Sequence, residues 1–521
     1  MNFKKLFNRR NFKYGSVAVM LTAAVIAVVV VVNVIVSALA QKYGWYFDMT
    51  SEGIYGLSDE CAAILDRVDG DCDITVYFLT DRDMLSSGVK STNYYGQSTM
   101  WGMKPIHEVA LEISEKYPFV KVEYVNYAKN PQVLKEITGD SYDGITFQST
   151  QILVDNHVSL KDSGGSVYDS YHSYRIFSRD AFYTFDYSSG VVKSFCGDYR
   201  LAAAISSVAI DDESKPVAYF LTGHGETVGE YDMTDKSAAE SDTDYSSAQS
   251  LWQLLRDCGY TIRKIDLRYE DFGDEEDALA IIFAPSTDLL APENSDSFNE
   301  AEKLEAFLSN KTRSLFVFAN PSGRELTNLG DFLKKNCGVT LENKKIKDSG
   351  ENSISVDGLT IVGTPSYDSD IIKQTESGYA AGLKAIFSSA QSIAIDDASK
   401  TVSLYDVPSS AADNRYSGQS LMTYTTLESG AHLLVCGSSK FVAGEAIDSA
   451  VYSNRETMLS VIDAVSENAS VPSGVSFKII RNDGLDITSR QARIITVVLS
   501  AGVPLIFAVI GTIVYLRRRH S

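Results

Sequence analysis

The stretch Thr222-Gly223-His224-Gly225-Glu226 is the most conspicuous place for chemistry in this 521-residue chain. It follows the apolar run Val217–Leu221, so it stands at the carboxyl end of a predicted strand, where open α/β sheets place their ligand sites. Two glycines permit unusual dihedrals, and an imidazole beside a carboxylate is the equipment of acid–base catalysis or metal ligation. The loop holds no nucleophile and no second histidine. A turn whose His224 and Glu226 bond the neighbouring backbone, or a contact with a partner, is therefore favoured over a catalytic centre. Gly223, His224, Gly225 and Glu226 are the candidate ligand- or partner-binding residues.

Other chemistries leave weaker marks. The six histidines form neither H-x-x-x-H nor H-E-x-x-H, so a zinc-hydrolase signature is absent. No G-x-x-x-x-G-K-[ST] loop is present to cradle ATP, and no G-x-S-x-G elbow to raise a serine. Cys436 before Gly437 is a conceivable nucleophile, but its setting, His432–Cys436, is that of a buried strand. The acidic stretches Asp242–Asp244 and Asp271–Asp277 match no calcium loop and are expected to be solvated. Tyrosines across Tyr168–Tyr187 could stack on sugars, although strands carry tyrosine for packing alone. No catalytic residue, metal or cofactor is expected.

The elements that must position these groups are legible from periodicity. Ser58 is a plausible N-cap for a helix with Ala62, Leu65 and Val68 on one face. Ile74–Leu79 reads as a strand, Ile106–Tyr117 as a helix stopped by Pro118, and Val120–Tyr127 as a second strand. Hairpins are expected in 140–200, then a helix from Arg200 to Ile210. The polar run Asp211–Pro216 is the best boundary. Beyond it strands and helices alternate: Val217–Leu221, helix Ser247–Cys258, Tyr260–Asp266, Ala278–Ala284, helix Asn299–Leu308, Ser314–Ala319. That rhythm predicts a doubly wound parallel sheet. It lapses in 340–425, expected to be irregular β structure appended to the sheet, and returns at His432–Cys436 and a helix near Arg455–Val465.

Two apolar runs, Val17–Ala40 and Ile494–Leu516, hold 24 and 23 residues, and about 20 suffice to cross a bilayer as a helix. Each has its basic flank on the outer side: Lys4, Lys5, Arg9, Arg10 and Lys13 before the first, Arg517–Arg519 after the second. Basic flanks stay cytoplasmic, so both termini are expected inside and the bulk outside. A signal peptide cleaved after Ala38-Leu39-Ala40 is the rival reading, disfavoured because the run exceeds a signal's apolar core. Segments 1–41 and 490–521 carry ten Lys and Arg and no Asp or Glu, leaving 37 basic against 68 acidic residues, a formal −31, in between. So acidic a surface speaks against nucleic acid. Aromatics at 11% and hydrophobics at 44% are those of a folded chain. Free, mostly buried thiols are expected of the six cysteines, with Cys61–Cys72 the first disulfide to test.

Together these residues resemble the Gldg family, auxiliary proteins of bacterial ABC-type transport systems named for a gliding-motility component. The likeness covers most of the chain. It begins at Phe47-Asp48-Met49-Thr50 with Tyr55-Gly56-Leu57-Ser58 and continues through Gly197-Asp198 and Ala202–Val208. Its most recognisable string is Tyr219-Phe220-Leu221-Thr222-Gly223-His224-Gly225-Glu226. Ala284-Pro285-Ser286, Gly437–Phe441, Asn454-Arg455, Val503-Pro504-Leu505 and Arg517–Arg519 follow. Ser438 and Lys440 stand where the family often shows acidic residues, which weakens a metal or charge role for that loop.

The resemblance implies an α/β fold with two extracytoplasmic α/β domains between terminal transmembrane helices, the second similar to class I glutamine amidotransferases but lacking their G-x-C-x-G nucleophile. The expected division is a basic segment 1–15, a span 16–40, a membrane-proximal domain 44–210, an amidotransferase-like domain 214–475 with the insertion 340–425, a juxtamembrane stretch 476–493, a span 494–516 and a basic tail 517–521. It implies a non-enzymatic auxiliary subunit whose partners are an ABC permease and ATPase, membrane lipid and an envelope glycan or another substrate, with no nucleic acid. The alternative is a doubly anchored carbohydrate-binding protein or hydrolase.

Overall fold

The computed structural model describes residues 53–480 except 86–87, 93–97, 140–146, 162–165, 186–191, 227, 229–242, 291–298, 323, 349, 351, 377–381, 412–417 and 450; before them only 27, 31, 34 and 35 are described. The expected spans 16–40 and 494–516, with both basic ends, therefore lie outside the described residues but for those four positions. Among the described residues no helix is long and apolar enough to cross a membrane.

The chain is a mixed α/β structure with parallel and antiparallel sheets. Its first sheet has the order β2-β1-β3-β4, from β1 (Ile74–Phe78), β2 (Val120–Tyr124), β3 (Gln151–Lys161) and β4 (Val167–Ser178). β1 and β2 are parallel, as the strand–helix–strand order requires, while β3 joins β1 and β4 antiparallel. Three helices, α1 (Asp59–Leu65), α2 (Met103–Lys116) and α3 (Pro131–Thr138), precede β3. Ser58 caps α1 by accepting from the Cys61 N–H. A further helix, α4 (Gly197–Ala209), lays Leu201, Ala202, Ile205 and Val208 into the core shared with Ile74, Val76 and Phe78.

The main sheet runs β6-β5-β7-β8-β13-β12-β10-β9. Its parallel half is β5 (Val217–Leu221), β6 (Thr261–Ile265), β7 (Ala278–Phe283), β8 (Arg313–Phe318) and β13 (His432–Cys436). Strands buried on both faces carry near-continuous apolar runs. In β5, Ala218 and Phe220 enter one core and Val217, Tyr219 and Leu221 the other. The first core is covered by α5 (Thr243–Asp257) and α8 (Asn454–Val465); the second by α6 (Glu300–Phe307) and α7 (Thr327–Cys337).

Residues 340–425 form β structure that joins the main sheet, with breaks in strand register. β9 (Val339–Lys345), β10 (Gln391–Ile395) and β12 (Ser420–Thr426) extend the main sheet in antiparallel sense, with β11 (Thr401–Asp406) paired to β12. Their rhythm is hidden because Thr and Ser occupy buried positions and bond each other across strands, as Thr401 and Thr425 do at 2.6 Å. The segment 476–493 begins as a strand: Lys478 and Ile479 pair with Phe195 and Ser194, and Lys478 Nζ lies 2.9 Å from Asp198 Oδ2. All six cysteines are free, and all but Cys72 are buried.

Candidate functional site

The order β6-β5-β7 sets the first strand of the parallel half between the next two, so the connections leave β5 and β7 in opposite directions. At such a switch point the carboxyl ends of the two strands open a crevice. The loop Thr222–Glu226 rises there from β5, and Ala284-Pro285-Ser286 rises beside it from β7. Ser286 and Thr287 both donate backbone N–H groups to the His224 carbonyl, at 3.0 and 2.9 Å. Ala284 holds φ +50, a left-handed conformation costly for an L side chain and one often found near functional sites.

The side chains of the loop turn inward. His224 Nδ1 lies 3.0 Å from Glu226 Oε1, whose other oxygen accepts the His224 backbone N–H at 2.6 Å. His224 Nε2 lies 2.8 Å from Glu300 Oε2, which also accepts the Leu290 N–H at 2.7 Å. Side-chain exposures of 4%, 0% and 1% for His224, Glu226 and Glu300 put the triad out of water. Burial alone would lower the imidazole pKa, but its pairing with Glu226 and Glu300 outweighs this and raises it to about 9. At neutral pH the ring is a cation held between two carboxylates. Both of its ring nitrogens face a carboxylate.

Gly223 and Gly225 are what the clamp requires. Their φ values are +116 and +70. A Cβ at Gly225 would fall 2.0 Å from Ser286 Oγ, and one at Gly223 within 2.9 Å of the Arg268 guanidinium, itself bidentate to Asp266 at 2.6 and 2.8 Å. Gly223 and Gly225 are exposed, with the side chains of Arg268 and Ser286 against them, while His224 is buried. The structure brings together all four predicted residues and adds Glu300, which opens α6 after the Asn299 cap. Nothing in the spacing of Glu300 marks it as a partner of His224.

The other candidates are built into the framework. Cys436 ends β13 fully buried, its S–H 3.2 Å from the Ser438 carbonyl, and burial pushes its pKa up to about 12, so it holds no thiolate at neutral pH. In the following loop, Ser438 Oγ donates to the Ser388 carbonyl at 2.6 Å and Asn320 Oδ1 accepts the Ser439 N–H. Asp277 accepts from Ser466 Oγ and the Asn468 N–H, which makes it a structural carboxylate. The tyrosines of 168–187 are dispersed: Tyr168 is exposed, Tyr183 is buried and donates to the Gly102 carbonyl, and Tyr187 lies outside the described residues. Asp242 also lies outside them. Among the described residues no group of three or more His, Cys, Asp or Glu is placed to hold a metal ion.

The sequence matches no protein-family model and no curated protein. Among solved structures, the exo-β-1,4-mannosidase Op5Man5 from Opitutaceae bacterium strain TAV5 aligns with 54% of this chain at 10% identity and a TM-score of 0.24. The match spans 40% of that enzyme, and so low a TM-score carries no argument about fold or activity.

Proposed function

We propose that this chain is a non-enzymatic auxiliary membrane subunit of an ABC-type transport system. Its terminal apolar runs contact the permease, and its extracytoplasmic part binds a substrate or an envelope partner. The finer architecture belongs to the same reading: two α/β domains divided at Asp211–Pro216, the second amidotransferase-like, between two membrane spans.

The observation that carries the proposal is the state of the string that most resembles the Gldg family. Thr222–Glu226 sits at the switch point, with its imidazole paired to Glu226 and Glu300 and its two glycines exposed. Such a loop offers a rigid surface for docking rather than a reactive group. Of the side chains the sequence singled out for a hydrolase alternative, His224 is paired on both ring nitrogens and Cys436 is a buried thiol.

Affinity purification of the full chain in mild detergent tests this reading. Co-purification of an ABC permease and ATPase is the expected result. Their absence from a preparation in which other membrane complexes stay intact would overturn it.

A further inference from the structure

A cavity of about 290 Å3 lies where β4, α4, α5 and β6 meet, away from the switch point. It has three basic side chains, Arg175, Lys215 and Arg256, and no carboxylate in its lining. In a chain with 68 acidic and 47 basic residues that concentration is not a sample of the general surface. In the neighbouring cavity, about 350 Å3, Asp180, Asp257 and Asp448 share the wall with Arg200 and Arg455; in the first, Asp257 and Asp212, the partners of Arg175 and Lys215, stand outside the lining.

Two of the three cations are already oriented. Arg175 Nη2 lies 2.9 Å from Asp257 Oδ1, and its Nη1 donates to the Arg256 carbonyl at 2.9 Å. Lys215 Nζ donates to Ser173 Oγ at 2.8 Å and pairs with Asp212. Arg256 has no carboxylate within ion-pair distance among the described residues. Burial depresses the pKa of Arg175 to about 10; Asp257 opposes the shift, and repulsion from Arg256 and Arg200 adds to it. A bound anion would relieve that repulsion. Hydroxyls of Ser173, Ser207 and Thr261 and the indole of Trp252 complete the wall, so polar and flat apolar surfaces flank the cations. The volume is at the low end of ligand pockets, roughly 300–1,000 Å3.

We propose that this cavity binds a small hydroxylated organic anion, a sugar phosphate or sugar acid, with its oxyanion between Lys215 and Arg256 and its ring against Trp252. The ligand would bridge the Ser173 and Arg175 side of the chain to the α5 side, across the polar run that contains Lys215. The site stands apart from the transporter reading, because binding is measured on the isolated chain and partner capture on the complex; either can fail alone.

Isothermal titration of the purified full chain at low salt, with glucose 6-phosphate, glucuronate and glucose, tests the proposal. At least one of the two anions is expected to bind saturably and glucose to bind at least about tenfold more weakly, the scale of a charge-assisted contact. Arg256→Gln, which removes no ion pair seen here, is expected to weaken the anion by about tenfold or more without moving the melting temperature of the free chain. Lys215→Gln provides a second reading. Saturable binding by neither anion, glucose binding as tight as either, or unchanged affinity in Arg256→Gln each overturns it.

Discussion

His224 Nε2 and Glu300 Oε2 lie 2.8 Å apart, which ties the loop after β5 to the first residue of α6 across the crest of the main sheet. The contact makes the imidazole a buried cation with a carboxylate on each nitrogen. It also makes His224 a structural group whose removal is read in stability before anything else.

Replacing Glu300 with Gln keeps an acceptor for the Leu290 N–H but removes one of the two charges that stabilise the imidazolium. Breaking one side of a buried ion pair typically costs a few kcal/mol; with Glu226 still in place, roughly 2–3 kcal/mol is expected. Urea unfolding checks it. A loss below about 0.5 kcal/mol, the range of an ordinary surface substitution, would show that the pair contributes little.

The same pair gives stability a pH dependence with a definite sign. His224 titrates at about 9 in the folded chain, above its ordinary 6.5. The native state therefore binds this proton more tightly than the unfolded state. Its contribution is complete below pH 6.5 and is lost as pH rises through about 9. The difference in urea midpoint between the wild type and His224→Gln should shrink from pH 6 to pH 10. A difference that stays constant over that range is the contrary result.

Gly225→Ala is expected to destabilise by more than about 1 kcal/mol, because φ is +70 and the new Cβ would meet Ser286 Oγ at 2.0 Å. Ser286→Ala in the same chain removes the oxygen and should recover part of the loss. The remainder is the backbone conformation itself. Full additivity of the two single changes would contradict the clash.

Thiol labelling should single out Cys72, the one cysteine that is not buried. Burial raises the pKa of Cys436 to about 12, and Cys196 and Cys337 are pushed to the same region. A thiol reagent at pH 8 is expected to modify one group in the native chain and six after denaturation. Fast native labelling of Cys436, located by peptide mapping, would return it to the list of candidate nucleophiles.

Replacing Asp257 with Asn leaves Arg175 and Arg200 facing a neutral amide in a buried setting. A loss of about 3–5 kcal/mol is expected, the scale for orphaning a buried charge. Because Asp257 ends α5 while its partners lie on β4 and α4, unfolding followed by separate probes on the two sheets should lose coincidence. A stability equal to the wild type would mean that the arginines find other partners.

Much of the framework was legible because each element carries its own signal. β5 and β7 are unbroken apolar runs since both faces of the main sheet are covered, and Ser58 and Asn299 mark the starts of α1 and α6 by their side-chain oxygens. The helix α7 was not anticipated, because Asn328, Gly330, Lys334 and Asn336 dilute its apolar positions and its first turn is capped from a distance by Asp288. The antiparallel strands β9–β12 were obscured by buried hydroxyls that satisfy one another only once paired.

Local pattern alone determined that a glycine-flanked His224 and Glu226 follow a buried strand, and that the chain alternates strand and helix around them. Only the tertiary structure decided what the imidazole is for. Sheet order places the end of β5 beside the start of α6, so the charge on Glu300 is set against His224 by the packing of distant segments, which no spacing in the chain encodes. The cation-lined cavity has the same origin: Arg175, Lys215 and Arg256 come from separate elements, and their like charges are brought together only when those elements pack.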